Sequence, residues 1–185
     1  MKEGTGLIIS KINFKNVDSI IKILTKDGMI ISGLAKNSRT KKNMSIYQIG
    51  NYVTFQHIGR ENTLGIIHCQ IIKFFIMQNI NNRKNFLIIT YICKILADIF
   101  NEIDSNNTLL EEILDIFEKI DDKNIKINLM KIEREILSKS GYIDANSDMH
   151  NKILIKMVYD QMRKTIPEER RLLEKMFNEN SIDYQ

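Results

Sequence analysis

The sequence predicts an α+β protein, with a small five-stranded β-barrel first and an α-helical domain after it. Three observations lead there. The 185-residue chain is divided in charge: residues 1–84 hold 13 Lys and Arg against 4 Asp and Glu, and residues 85–185 hold 14 against 19. The spacing of apolar residues changes at the same place, from alternation to a helical repeat. Glycines cut the first half into short segments, as turns between strands require.

The strands follow in order. In the first, Ile8, Ile12 and Phe14 are expected on the inner face, with Lys11 and Asn13 on the other. In the second, Ile21, Ile23 and Thr25 oppose Lys22 and Lys26. Asp27-Gly28 is a hairpin turn, because glycine accepts positive φ without steric cost. A third strand runs from Met29 to Ala35, and a polar loop from Lys36 to Asn43. After the turn at Gly50-Asn51, Val53 and Phe55 mark a fourth strand, and Ile67, Cys69 and Ile71 a fifth. Five short antiparallel strands in about 70 residues are expected to close, since closure removes exposed edges. The OB-fold is the five-stranded barrel most used for nucleic acid; a small SH3-like barrel is the alternative.

Past Asn85 the period is helical. Phe86–Ile103 is apolar nearly all round, with one polar stripe at Thr90, Lys94 and Asp98, the pattern of a central buried helix. Thr108 and Glu111 have capping-box spacing ahead of the face Leu110, Ile113, Leu114, Phe117 and Ile120. Ile125, Leu129, Ile132 and Ile136 form the next helix, ended by Gly141. A last helical stretch starts near Met149. Pro167 is expected to break it, with Thr165 and Glu168 capping the restart. The expected domains are residues 1–78 and 84–180.

Several function classes are excluded. Two cysteines, Cys69 and Cys93, make neither a disulfide framework nor a four-cysteine zinc site, and they fit a reducing cytoplasm. The N-terminus lacks the apolar run of a signal peptide, and Lys94 and Asp98 interrupt the longest apolar stretch. His57, His68 and His150 lack metal-ligand spacing. Asp144 to Asp148 resembles the start of a calcium loop, but the required glycine and final glutamate are Met149 and Ile155. No phosphate-cradling loop or nucleophile–base pair is present, so no enzyme is expected.

What remains is charge. Lys36, Arg39, Lys41 and Lys42 stand in one loop without an acid, and Lys11, Lys22, Lys26, Arg60 and Lys73 lie on the same barrel. Cations so grouped neutralise phosphates and release counterions; the bland reading is a solvated loop in a Lys-rich chain. Phe14 and Phe55 fit inward positions, leaving Tyr47 and Tyr52 as candidates for stacking on bases. In the acidic half, Arg163, Lys164, Arg170 and Arg171 form a local cationic cluster beside Met162, Leu172 and Leu173, suited to an acidic peptide with an apolar end.

The ordered pieces carry a resemblance. Glu3-Gly4-Thr5-Gly6-Leu7-Ile8-Ile9-Ser10 is followed by Ile23-Leu24-Thr25-Lys26-Asp27-Gly28, then by Ser32-Gly33-Leu34-Ala35-Lys36 with Arg39. Gln48-Ile49-Gly50-Asn51-Tyr52-Val53 and Leu64-Gly65 come next, and Ile132-Glu133 leads to Leu137 and Gly141-Tyr142 in the helical half. The set resembles the RecO family of bacterial DNA repair proteins, most clearly over residues 4–73. The resemblance implies an OB-fold and a helical domain that bind single- and double-stranded DNA and anneal complementary strands. It implies help in loading recombinase on DNA coated by single-strand binding protein, together with RecR. It puts Lys36 and Arg39 in a basic DNA-binding loop and a pocket for the acidic tail of single-strand binding protein in the helical half.

Two departures stand out. The family's four-cysteine zinc module is reduced to about Ile143–Asp148 without cysteine, so the chain is short for the family and neither metal nor other cofactor is expected. Ile49 stands where the family has proline. The expected function is non-enzymatic DNA binding and strand annealing in recombinational repair; the alternatives are an RNA-binding OB protein and an interaction adaptor.

Overall fold

The computed structural model describes residues 1–59, 64–99, 108–144 and 149–179. The expected cation Arg60 and the loop residues 145–148 lie outside them, as does the end of the apolar stretch after Ile99. Five strands come first: β1 (Lys2–Phe14), β2 (Asp18–Thr25), β3 (Ile30–Ala35), β4 (Asn51–Ile58) and β5 (Gly65–Phe74). Six helices follow: α1 (Phe75–Gln78), α2 (Arg83–Ile99), α3 (Leu109–Glu118), α4 (Ile125–Lys139), α5 (Asn151–Gln161) and α6 (Glu168–Glu179).

The strands close in the order β1-β2-β3-β5-β4, antiparallel except for a short parallel seam where Gly33 and Leu34 of β3 meet Gly65 and Ile66 of β5. This is the OB arrangement. Two cores share its wall. Ile8, Ile21, Ile23, Val53, Phe55 and Ile67 fill the barrel, and Tyr47 plugs it, its hydroxyl accepting the Cys69 N–H at 3.3 Å. Leu7, Ile9 and Leu24 point the other way, into a second core with α2 and the remaining helices. The run Leu7-Ile8-Ile9 is apolar without alternation because both faces of β1 are covered there.

A bulge between Ile8 and Ser10 corrects the expected alternation of β1. The extra residue flips every side chain after it. Lys11 then shares the inner face with Ile21, while Ile12 pairs with Ile20 and stands outside, 58% exposed. Phe14 follows it outward and is half-buried under Lys15, whose Nζ lies 5.4 Å from the ring centre.

The helices keep their expected faces. α2 is buried along most of its length, and its polar stripe is partnered: Thr90 donates to the Phe86 carbonyl, Lys94 meets Glu169 and Asp98 meets Lys164. Gly50, at φ +82°, lets the barrel approach α2; a Cβ there would fall 2.5 Å from Ile89. Thr108 is no capping box. Its backbone is already helical and its hydroxyl donates to Glu112 at 2.7 Å instead of accepting a backbone N–H. Gly141, at φ +75°, ends α4 as expected. Pro167 does not end α5. The chain leaves that helix at Arg163, in the left-handed region at φ +55°, with the Lys164 N–H returning to the Tyr159 carbonyl. Pro167 stands immediately before α6.

A charged knot ties four helices together. Glu133 of α4, 1% exposed, accepts from Tyr91 of α2 at 2.8 Å and from Asn151 of α5 at 3.0 Å. Arg170 of α6 brings its Nε to 2.6 Å from Glu133, although that N–H is not aligned for a hydrogen bond, and its Nη1 donates to Glu174.

Candidate nucleic-acid interface

The β1–β2 turn and the β3–β4 loop are built against each other. Asn37 adopts the left-handed conformation at φ +54° and donates its N–H to Asp18 at 2.8 Å. Its carbonyl accepts from Thr40 and Asn43. The Arg39 N–H is held by the Val17 carbonyl at 2.9 Å, and its guanidinium reaches the Lys15 carbonyl at 3.4 Å. The loop is thus fixed by its own backbone bonds, leaving its charges in solvent: Lys36, Arg39, Lys41 and Lys42 are all exposed.

The bulge in β1 adds Lys11 to this end of the barrel. Partial burial, and then the neighbouring Arg39, hold its amine below the ordinary lysine range. Lys22 lies on the outer face between Ser10 and Ser32. Among the described residues, no carboxylate comes within ion-pairing distance of Lys11, Lys22, Lys36, Arg39, Lys41 or Lys42. Cations that make no ion pair among the described residues, one of them half-buried beside another, have the charge and the donors that phosphate oxygens would match.

Two of the expected cations are turned elsewhere. Lys26 lies 3.4 Å from Glu111, and Lys73 pairs with Glu118 while covering the Phe75 ring. Glu111 and Glu118 are two turns apart on α3, so that helix presents these two acids to the barrel. Lys15 joins the basic end instead; its place in the sequence gives no sign of this, because what it lends to Arg39 is a backbone carbonyl. Tyr47 is barrel core and not free to stack; Tyr52 is half-buried against the second core.

In the helical half, Arg163, Lys164 and Arg171 come together with Lys94 and Lys175 around an open groove of about 990 Å³, with Ile166, Pro167 and Leu172 at its apolar side. Arg170 does not join them, being engaged in the knot. Burial opposes its charge, but Glu133, Tyr91 and Glu174 outweigh that and hold it above the usual arginine value. Leu173 is core.

Nothing described assembles catalytic chemistry. Burial pushes the Cys69 thiol up to about 12 and the Cys93 thiol higher still. Among the described residues, no three His, Cys, Asp or Glu cluster as metal ligands, and no helix is long and apolar enough to cross a membrane.

Comparison with known proteins bears on the barrel first. Residues 1–75 match the family described as Recombination protein O N terminal. The DNA repair protein RecO of Orientia tsutsugamushi (strain Ikeda) is 33% identical over 139 residues, 74% of this chain and 58% of the relative. The protein of the same name from Rickettsia typhi is 28% identical over 138 residues, again 74% and 58%, and that of Rickettsia akari 28% over 141 residues, 76% and 59%. The chain therefore spans less than three fifths of the length of the curated relatives it matches.

Proposed function

The chain is a RecO-like protein, and from that premise we propose that it binds DNA through the basic end of the barrel and anneals complementary strands in recombinational repair. The observation that carries this reading is the group of six cations with no carboxylate partner among the described residues, on the part of the chain that matches the family. Phosphates neutralised there allow two strands to approach with less repulsion, and base pairing then supplies the free energy. No nucleotide is consumed, and the protein performs no catalysis of its own.

The division of labour runs along the charge division. The barrel, residues 1–78, takes DNA. The helical part, residues 84–180, takes partners: the groove rimmed by Arg163, Lys164 and Arg171 receives the acidic tail of single-strand binding protein. Recombinase loading on coated DNA and joint action with RecR complete the proposed role. An anisotropy titration with a labelled tail peptide, paired with an annealing assay on strands coated by single-strand binding protein, tests it. Tail binding that weakens on Arg171→Ala, together with annealing that needs no ATP, is the expected result. Tail binding without annealing favours an adaptor; annealing without tail affinity removes the partner role from the groove.

A further inference from the structure

Glu112 of α3 and Glu135 of α4 meet where the two helices pack, and their carboxyl groups hydrogen-bond to each other. Both side chains are half-buried. On the α3 side, the Thr108 hydroxyl donates to Glu112 Oε1 at 2.7 Å. On the α4 side, Lys139 stands one turn past Glu135 and brings its Nζ to 2.6 Å from Glu135 Oε1. The neighbouring charged residues are turned elsewhere: Glu111 to Lys26, Asp115 to Lys119, and Arg134 to Asn151 and the Met149 carbonyl. The charges that act on the pair are its own and that of Lys139.

Two ionised carboxylates have only acceptors to offer each other, so a hydrogen bond between them needs a proton that one of them keeps. The count of charges agrees. Lys139 balances one carboxylate, and a proton removes the charge of the other. The surroundings place that proton on α4. The hydrogen bond from Glu135 holds the Glu112 carboxyl below the ordinary range, while burial, and then the same bond, push Glu135 above it. Glu135 therefore donates and Glu112 accepts.

We propose that this shared proton is a pH-sensitive latch between α3 and α4. With one proton the two carboxyl groups attract; with none they repel across the helix contact. α3 is the helix whose Glu111 and Glu118 pair with Lys26 and Lys73 of the barrel, and Glu112 stands next to Glu111 in its first turn. The latch sets how firmly that turn is held between the barrel and α4. Its two limits follow from linkage. Glu112, lowered on folding, contributes stability that is lost as pH falls through its folded value. Glu135, raised on folding, contributes stability that is lost as pH rises through its folded value. The latch is tightest between the two and loosens as pH climbs past Glu135.

The test is the melting of the full chain at about pH 5 and about pH 8, on either side of the raised carboxyl, for the wild type and Glu112→Gln. The amide has the same shape, still accepts from Thr108 and leaves the contact of Glu135 with Lys139 in place. It donates to Glu135 without needing a proton from solvent. The variant is expected to melt with the wild type at the lower pH and about 2–4 °C above it at the higher, the shift that one interaction gives in a chain of this length. The backbone N–H of residue 112, which donates to the Thr108 carbonyl at 3.0 Å, reports on the same turn. Corrected for its intrinsic pH dependence, its hydrogen exchange is expected to speed up between the two conditions in the wild type and not in the variant. Should Glu112→Gln fail to fold, Glu135→Gln makes the comparison from the α4 side. An offset between variant and wild type that is the same at both pH values overturns the latch, as does a variant that melts below the wild type at the higher pH.

Discussion

Lys11 shows how one backbone irregularity sets a residue's chemistry. Alternation put it outside the barrel with Asn13; the bulge after Ile8 turns it to the inner face, where burial and then Arg39 lower its affinity for a proton. Alternation was legible in the sequence, but the bulge was not, because no glycine marks it. The sign of the consequence is fixed. Folding favours neutral Lys11, so the penalty for its charge disappears as pH rises through its folded value. A bound phosphate favours the charged form and draws a proton in. DNA affinity is therefore expected to fall as pH rises toward the ordinary lysine range, and to fall less in Lys11→Arg, which stays charged. Superimposable pH profiles from anisotropy titrations would place Lys11 outside the contact. Arg170 makes the complementary case. It reads as one of four surface cations because its partner Glu133 lies on a different helix, beyond any local pattern. Arg170→Ala leaves a carboxylate buried without its cation and is expected to destabilise the fold by about 3–5 kcal/mol, measured by urea denaturation. Destabilisation by less than about 1 kcal/mol, the range of an exposed ion pair, would mean that Tyr91 and Asn151 suffice for Glu133.

At the scale of elements, helix faces were legible and helix ends only in part: Gly141 ends α4 as its position suggested, and the capping box expected at Thr108 does not form. The repeats through α2, α3 and α4 place Ile88, Leu110, Phe117, Leu129 and Ile136 in the core where their spacing put them. Pro167 was the evident breaker of the last helical stretch, yet the chain turns earlier, at Arg163, with a left-handed residue that is not glycine. An L side chain there is strained by roughly 1 kcal/mol. Arg163→Gly is thus expected to hold or slightly raise the melting temperature while weakening binding of an acidic peptide in the groove. A lowered melting temperature would show that the arginine side chain has a structural role outweighing the strain. α3 is the element whose role the sequence hid. Glu111 reads as half of a capping box, but Glu111 and Glu118 meet Lys26 and Lys73, pairing two of the cations expected at the basic end of the barrel. Sequence spacing within α3 gives no sign of which strand it lies beside.

Over the whole molecule, the charge division and the change of period were both legible, and with them the order of barrel and helices. The sharing of cores was not. Leu7, Ile9 and Leu24, with Phe75 and Ile76 just after β5, belong to the helical core, so the basic half depends on the acidic half for its outer cover, and separating them exposes five buried side chains. On the proposed reading, DNA binding is expected to need the intact chain, with the cations that α3 does not pair holding the phosphates. The salt dependence of DNA binding by the full-length protein probes this directly, comparing Lys36→Ala/Arg39→Ala with Lys26→Ala/Lys73→Ala. On duplex DNA, each phosphate that a variant no longer neutralises takes about 0.9 off the slope of log affinity against log salt. The first pair is expected to lower that slope by about 1–2 with little change in thermal stability, since exposed cations contribute little to folding. The second pair is expected to leave the slope unchanged. Equal slopes for the first pair and the wild type, or a fall confined to the second pair, would mean that DNA is held elsewhere on the protein.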